Sequence, residues 1–542
     1  MHRTSDLKLD FLGWIPRFED QFIDSQSIIA FSALLSFKGR QSVKTLFKEA
    51  LVGEGSVSKK VKAILRKSSL RGHASLSTTP ALAISFQGSK FLDSLLTGTV
   101  FSSSLMSSGR RAQTSAKDIV FPDNIYIRKE TRFLYQKQME KNIDFLNKML
   151  ANGIPKDAAS KIMPYGLVGT GTLILPIESI IGFERELEHE KEWMPEDAVI
   201  FLNEVKKKLK KFGLDDLYHT RKAAPRNVYH FPNIFKNPKT TNMAQDFSKG
   251  LKPAKLSQIV SFEAQMTPNF RKRLKALNQI IKNMATSKRK IKNQWLKVLL
   301  KRKELCRDYS PAVALSMISS VSWRVWGEKK RHRTVPQVVD SIYASVERAS
   351  RVFKKAYPKI KTNKIEDKLL KEIDFVFAVP PAIVSDKKIL ASYLKTVAES
   401  LFTYEELIKK GIPARDAIYV IPRGIRILVL QNFDLYNLIT GYYPLRLCPT
   451  AEEQMKRRSE VEWLMIKRVL EKRGLEDLLS LIVPKCHLAG FCPEQKSCGK
   501  IKALVPYYNE EFHQEMKEEL EKKFLESKKG DWKGLDKGLA LI

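Results

Sequence analysis

The chain has 542 residues, 43% of them hydrophobic, and carries 95 Lys and Arg against 59 Asp and Glu, a formal net charge of +36. That length exceeds what one compact core holds, so two or more domains are expected. No apolar run reaches the roughly 18 residues of a membrane span, and the N-terminus has no secretory h-region, so no membrane anchor and a cytoplasmic location are expected.

A positive field of this size attracts phosphorylated partners, small or polymeric, without saying which. The first organised stretch is Gly72–Gln113: a polar turn at Gly72-His73, a strand-like apolar run, then Ser108-Gly109-Arg110-Arg111. Apolar spacing over Phe133–Asn152 predicts a long helix. It closes at Gly153-Ile154-Pro155, where Gly tolerates positive φ and Pro opens a short new helix that stops before Pro164. Asp157 in its first turn suits a helix N-terminus. Pro232–Lys255 is polar and Pro-containing and reads as a join. Lys288–Arg307 is basic, with Trp295, Leu296, Val298, Leu299 and Leu300 at roughly helical spacing. It predicts a helix with an apolar stripe and a solvated basic face; an RNA or membrane-surface contact is the alternative.

The pattern then starts again. Asp308–Val346 is a polar turn, an apolar run and an Arg-bearing segment, here Arg331-His332-Arg333. Leu390–Lys410 predicts a second long helix, closed by Gly411-Ile412-Pro413 and followed by a short helix with Asp416 that stops before Pro422. The two closing prolines, Pro164 and Pro422, lie about half a chain apart, which reads as a tandem duplication. Helices alternating with short strands predict an α+β class, with long helices and an antiparallel-rich sheet. The expected boundaries are 1–235 for the first copy, 236–300 for a linker and basic helix, 301–505 for the second copy, and 506–542 for a charged helical tail.

Glu452–Arg473 predicts another helix, with Trp463, Leu464, Ile466, Val469 and Leu470 as its buried stripe and Lys456, Arg457 and Arg458 near its start. Four of the five cysteines, Cys448, Cys486, Cys492 and Cys498, fall close together, the last three at a spacing of six. That spacing is wider than the CxxC of a zinc ribbon, so no metal is assigned. A structural metal, unligated thiols and disulfides all stay open, with disulfides disfavoured in a reducing compartment. Cys306 stands alone and reads as a buried apolar residue.

The GHxS-like turn, the Arg-His-Arg triplet, the paired Gly-Ile-Pro blocks, the Leu445–Lys456 stretch and the tail CHLAGFCPEQKSCGK (Cys486–Lys500) together resemble the flavin-dependent thymidylate synthases, the ThyX family. The resemblance spans roughly residues 8–230 and 300–500. It implies two ThyX-like layered copies, FAD as cofactor, NADPH and methylenetetrahydrofolate as co-substrates, and reductive methylation of dUMP, or a related nucleotide, to dTMP. The family's shared-site tetramer implies a homodimer of this double-length chain.

The resemblance assigns His73, Arg331, His332 and Arg333 to the cofactor. It assigns Ser108, Arg110, Ser341, Arg446 and Lys456 to the nucleotide, with Arg110 and Lys456 as catalytic candidates. Guanidinium groups suit these ligands because they grip phosphate oxygens two at a time. His332 between two Arg is disfavoured in its charged form, which suits a neutral hydrogen-bonding role.

Each copy also departs from the family pattern. Copy one reads Gly98-Thr99-Val100 where the triplet belongs, but keeps Ser108 and Arg110. Copy two keeps the triplet but has Pro336 for the family Ser, Tyr343 for the following Arg, and Lys456 for the nucleotide-gripping Arg. Complementary losses imply one site shared between copies, completed by His73, Ser108 and Arg110 from one and the triplet from the other. The alternatives are a degenerate homologue that binds flavin, nucleotide or nucleic acid without the activity, and a scaffold for an active synthase.

Overall fold

The computed structural model describes residues 2–17, 24–35, 41–52, 56–70, 75–107, 114–224, 232–286 and 291–489, and isolated positions beyond, among them 492, 494, 498 and 499. Residues His73, Ser108 and Arg110, and nearly all of the 506–542 tail, lie outside the described residues.

The strands that matter here are β1 (Lys8–Ile15), β2 (Ala81–Ser89), β3 (Ser103–Met106), β4 (Val168–Pro176), β5 (Ser257–Ala264), β6 (Val313–Ser322), β7 (Gln337–Val339) and β8 (Arg426–Asp434). The helices are α1 (Phe91–Leu96), α2 (Lys129–Ala151), α3 (Ile291–Tyr309), α4 (Trp323–Lys329), α5 (Lys387–Lys409), α6 (Glu453–Lys472) and α7 (Lys485–Ala489). Mixed helix and antiparallel sheet is the α+β class expected from sequence.

The chain divides into two compact units. One holds Met1–Asn242, Ser322–Arg331 and Val339–Ile427; the other holds Met243–Val321, His332–Val338 and Leu428–Ile542. Each unit is built on a four-stranded sheet, and the strand orders match: β1-β2-β4-β3 in the first, β5-β6-β8-β7 in the second. β1 pairs antiparallel with β2, and β5 with β6. Each outer strand carries one irregularity, between Phe11 and Gly13 and between Ile259 and Ser261. A bulge bends and twists an edge and blunts it against further pairing. β5 falls inside the stretch read from sequence as linker, 236–300.

The likeness continues beyond the sheets. α2 and α5 each have 23 residues, and both ends of α5 stand 258 positions after those of α2. The same offset relates the short helices Lys156–Ala159 and Ala414–Ala417, and strands β4 and β8. Both long helices end in glycines at positive φ, Gly153 at 76° and Gly411 at 77°. There the missing Cβ removes the steric cost of the left-handed turn. Tyr135 Oη donates to the Val120 carbonyl at 2.8 Å, and Tyr393 Oη donates to the Ala378 carbonyl at 2.9 Å, again one offset apart.

Within the first unit, residues at this offset meet. α2 packs on α5, where Asn142 faces Ser400, and Pro164 bridges to Pro422. The Arg423 guanidinium lies 5.2 Å from the Tyr165 ring centre. Gly424 N donates to the Lys161 carbonyl at 2.8 Å, and the equivalent Gly166 approaches the Tyr419 carbonyl so closely that a Cβ would sit 2.7 Å from it. Phe91 of α1 and Trp323 of α4, the first residues of matching helices, pack edge to face at 5.4 Å. Both are fully buried.

Among the described residues, no helix is long and apolar enough to cross a membrane. Helix α3 buries Val298 and Leu299 of its expected apolar stripe while Lys297 and Lys301 are exposed, but Leu300 of that stripe is 37% exposed, and the side chains of Trp295 and Leu296 lie outside the described ones. In α6, Ile466 and Leu470 are buried, but Leu464, expected in the buried stripe, is 48% exposed.

Candidate functional site

The Arg-His-Arg triplet follows α4 directly. Ser322 caps that helix by accepting from Val325 N, and Trp323, Val325 and Trp326 bury its inner face. Its last turn leads into Lys330, whose buried ammonium donates to the carbonyls of Asp93 and Ser94 at 2.7 and 2.6 Å. Arg331 then pairs with the Asp93 carboxylate at 3.2 Å, with 45% of its side chain exposed. Burial, and next the Arg423 charge, hold the nearby Lys90 amine down at about 8. Burial lowers Arg423 itself to about 10.

In the second unit, His332 begins a loop held by the segment that follows β8. Arg446 Nε donates to His332 Nε2 at 2.8 Å, and the His332 ring packs edge-on to Tyr442 at 4.8 Å. An Nε2 that accepts from a guanidinium carries a lone pair, so this geometry assigns the proton to Nδ1 and a neutral imidazole. Thr334 Oγ1 donates to Asn437 Oδ1 at 3.0 Å, and Asn437 Nδ2 donates back to the Thr334 carbonyl at 3.1 Å. Asp434 fixes Asn437 in turn, accepting from its backbone and amide nitrogens at 2.9 and 2.7 Å. Asn437 opens a one-turn π-helix, Asn437–Gly441. Such turns recur at functional sites. Asn437, Tyr442 and Asp434 were missed from sequence; the available signal was a polar Asn inside the otherwise apolar run after β8.

The remaining candidates separate. Arg446 is drawn to the triplet loop. Ser341 is fully buried in the first unit; its hydroxyl donates to the Lys236 carbonyl at 2.6 Å, at the start of helix Ile342–Lys361. Lys456 sits in the first turn of α6 and pairs with Glu460 at 2.5 Å, while Arg457 pairs with Glu453 at 2.8 Å and is half exposed. Further along α6, the fully buried Glu462 accepts from Ser257 and Ser319 of β5 and β6 at 3.3 and 2.9 Å. Cys448, Cys486, Cys492 and Cys498 line one cavity with Lys456. Cys306 lies elsewhere, partly buried, and all five thiols are free of disulfides. Burial first, and then the three neighbouring cysteines, push the Cys486 thiol up to about 11.

Fold and site together define an α+β protein with a triplet loop pinned by a buried amide and a guanidinium. Residues 259–471 match the family model described as thymidylate synthase complementing protein. Through this stretch the chain is related to the ThyX family. The flavin-dependent thymidylate synthase of Pyrococcus abyssi is 27% identical over 126 residues, 23% of this chain and 50% of that protein. The enzyme of the same name from Sulfurisphaera tokodaii is 31% identical over 110 residues, 20% of this chain and 38% of that one. The chain thus spans about half the length of the curated relatives it matches. Among solved structures, a UMP/dUMP methylase from Streptomyces cacaoi bound with 5-Br dUMP overlays with a TM-score of 0.32 at 10% identity, covering 42% of this chain and 100% of that one. ThyX from Helicobacter pylori with FAD and dUMP gives 0.29 at 13% identity, covering 40% and 99%.

Proposed function

We propose that the chain is a flavin-dependent thymidylate synthase-like enzyme. In this reading it binds FAD, takes hydride from NADPH, and transfers the methylene of methylenetetrahydrofolate to C5 of dUMP. The observation that carries the reading is the triplet segment, which lies inside the family match and whose His332 accepts a hydrogen bond from Arg446. When bound, the flavin would supply the hydride chemistry. This chain's residues would bind and orient: Arg331 and Arg333 on phosphate oxygens, His332 as a hydrogen-bonding group, Arg446 and Lys456 toward the nucleotide. The matching strand orders and the 258-residue offset support two tandem copies of one ancestral unit. The site shared between copies, with His73, Ser108 and Arg110 from copy one, rests on the complementary losses in sequence, and with it the homodimer and a cytoplasmic location.

A second reading is favoured by the contacts of two candidates. Ser341 spends its hydroxyl on a backbone carbonyl, and Lys456 is paired with Glu460. A chain that has turned nucleotide-side groups to structural use would bind flavin or nucleotide without turnover. The deciding experiment is the visible spectrum of the purified protein with dUMP-dependent NADPH oxidation. Bound FAD with turnover supports the enzyme; bound FAD or dUMP without turnover supports the second reading; a colourless protein that takes up neither added FAD nor dUMP overturns both. A colourless protein whose nucleic-acid affinity falls steeply with salt would point to the basic charge as the working feature.

A further inference from the structure

We propose that Cys448, Cys486, Cys492 and Cys498 are the ligands of an iron–sulfur cluster in the second unit. Nothing in the flavin reading requires such a group, although Lys456, which that reading sets toward the nucleotide, lines the same cavity.

The first support is convergence. Cys448 and the Cys486–Cys498 segment bring four of the chain's five cysteines to the wall of one cavity of about 330 Å³. Cys448 follows the short helix Tyr443–Arg446, Cys486 lies on α7, and Cys492 and Cys498 follow it. Cys448, Cys486 and Cys492 are buried, between 5% and 8% exposed, and Cys498 is exposed at the rim. Chance burial places single cysteines in cores; it does not bring four to one opening.

The second support is the donor set. Thiolates alone are soft ligands that select zinc, copper(I) or iron–sulfur clusters. Spacing and size separate these. A single tetrahedral zinc needs its sulfurs roughly 3.8 Å apart, as its bond length of about 2.3 Å dictates. Among the described residues, no three His, Cys, Asp or Glu side chains are set to hold one metal ion. The sequence lacks the CxxC turn that brings two sulfurs onto one ion, spacing its last three cysteines by six instead. A cluster core of several irons and sulfides fills a volume and holds its thiolates farther apart than one ion does, and the four thiols share one cavity. Apolar walls from Trp463 and Ile482 would keep water from the core. Assembly deprotonates four thiols and forms four iron–sulfur bonds; no redox step is assigned to it.

The test is made on the full chain, purified without oxygen and reconstituted with a mixture of ferrous and ferric iron and with sulfide, so that no external oxidant is needed. Iron, acid-labile sulfide, zinc and released flavin are all quantified in the same sample. The expected result is iron and sulfide in equal amounts, at about two to four per chain. Cys486→Ser and Cys492→Ser should each lower both at least tenfold, and Cys306→Ser should leave both unchanged. If the buried variants do not fold, Cys498→Ser at the exposed rim carries the test and should lower both at least threefold. Zinc at one per chain without sulfide, or iron and sulfide below a tenth per chain in reconstituted wild type, overturns the cluster. So does full iron in the cysteine variants. Because flavin is counted separately, loss of either group leaves the other reading standing.

Discussion

The side-chain amide of Asn142 donates to the hydroxyl of Ser400 at 3.1 Å, and the two residues stand 258 positions apart. Gln138 Nε2 donates to the same hydroxyl at 3.0 Å and to Asn142 Oδ1 at 2.8 Å, so three polar side chains satisfy one another in the buried seam between α2 and α5. Ser400→Ala leaves two buried donors short of an acceptor and should cost roughly 1–3 kcal/mol in urea unfolding. Adding Asn142→Leu and Gln138→Leu to that variant should recover part of the loss, because all three members of the network are then apolar. A triple variant that is less stable than the sum of its single changes would show the network is not what holds the seam.

Gly166 and Gly424 make the same close approach in matching positions. A Cβ on Gly166 would lie 2.5 Å from the Tyr135 hydroxyl oxygen, and one on Gly424 would lie 2.5 Å from the Phe377 ring and 3.1 Å from the Lys161 carbonyl. Gly166→Ala and Gly424→Ala should each destabilise by about 1–3 kcal/mol. Thermal unfolding of the two variants is the measurement, and an unchanged midpoint for either denies the close contact.

Asn437 should matter to the triplet loop as a donor. Asn437→Ala removes its bonds to Thr334 and Asp434 and should cost roughly 2–3 kcal/mol, with a lower flavin content if the loop faces the cofactor. Asn437→Asp sets a second carboxylate beside Asp434. It should be less stable than the Ala variant, because two carboxylates then face each other. Equal stability of the two variants would mean the amide–carboxylate contact carries little.

Burial pushes the Asp197 carboxyl up to about 7 and that of Asp416 up to about 6. A carboxyl raised above its ordinary value of about 3.9 holds its proton in the folded state after the unfolded chain has released it. Its contribution is therefore full below about pH 4 and declines as pH rises toward 7. For Asp197 the loss is on the order of 4 kcal/mol. Asp197→Asn keeps the shape without the titration, so its unfolding free energy should fall less between pH 5 and pH 7.5 than that of wild type. Parallel pH curves for the two proteins would refute the assignment.

Arg110→Ala tests the shared site. Nucleotide affinity should fall at least tenfold while flavin content holds, because the guanidinium is proposed to grip phosphate oxygens. Unchanged nucleotide affinity would remove copy one from the site, even in an active protein. Arg331→Ala and Arg333→Ala should act on the flavin side, each lowering bound FAD at least tenfold.

The long helices were legible because periodicity and a terminal glycine agree: Phe133–Asn152 and Leu390–Lys410 were expected, and Lys129–Ala151 and Lys387–Lys409 are found. The Gly-Ile-Pro blocks were legible for the same reason, since Gly153 and Gly411 must turn left-handed where the helices stop. β5 was not, because prolines and polar residues just before it read as a join and eight residues of alternation are a weak signal. Ser341 was placed by motif alignment, but its neighbourhood is set by Lys236, far upstream in the chain, and no local pattern reports such a contact. Leu464 matched a helical stripe, yet helix spacing fixes only which residues share a face, not how wide a strip of that face is covered.

The seam between α2 and α5 has one more consequence. In an assembly of identical subunits, a residue on the symmetry axis must face its own kind, so an amide there meets an amide and any change strikes both sides at once. Here an asparagine meets a serine. On the proposed tandem reading, a single polypeptide lets each side of the seam vary alone, and a donor on one side can be matched to an acceptor on the other.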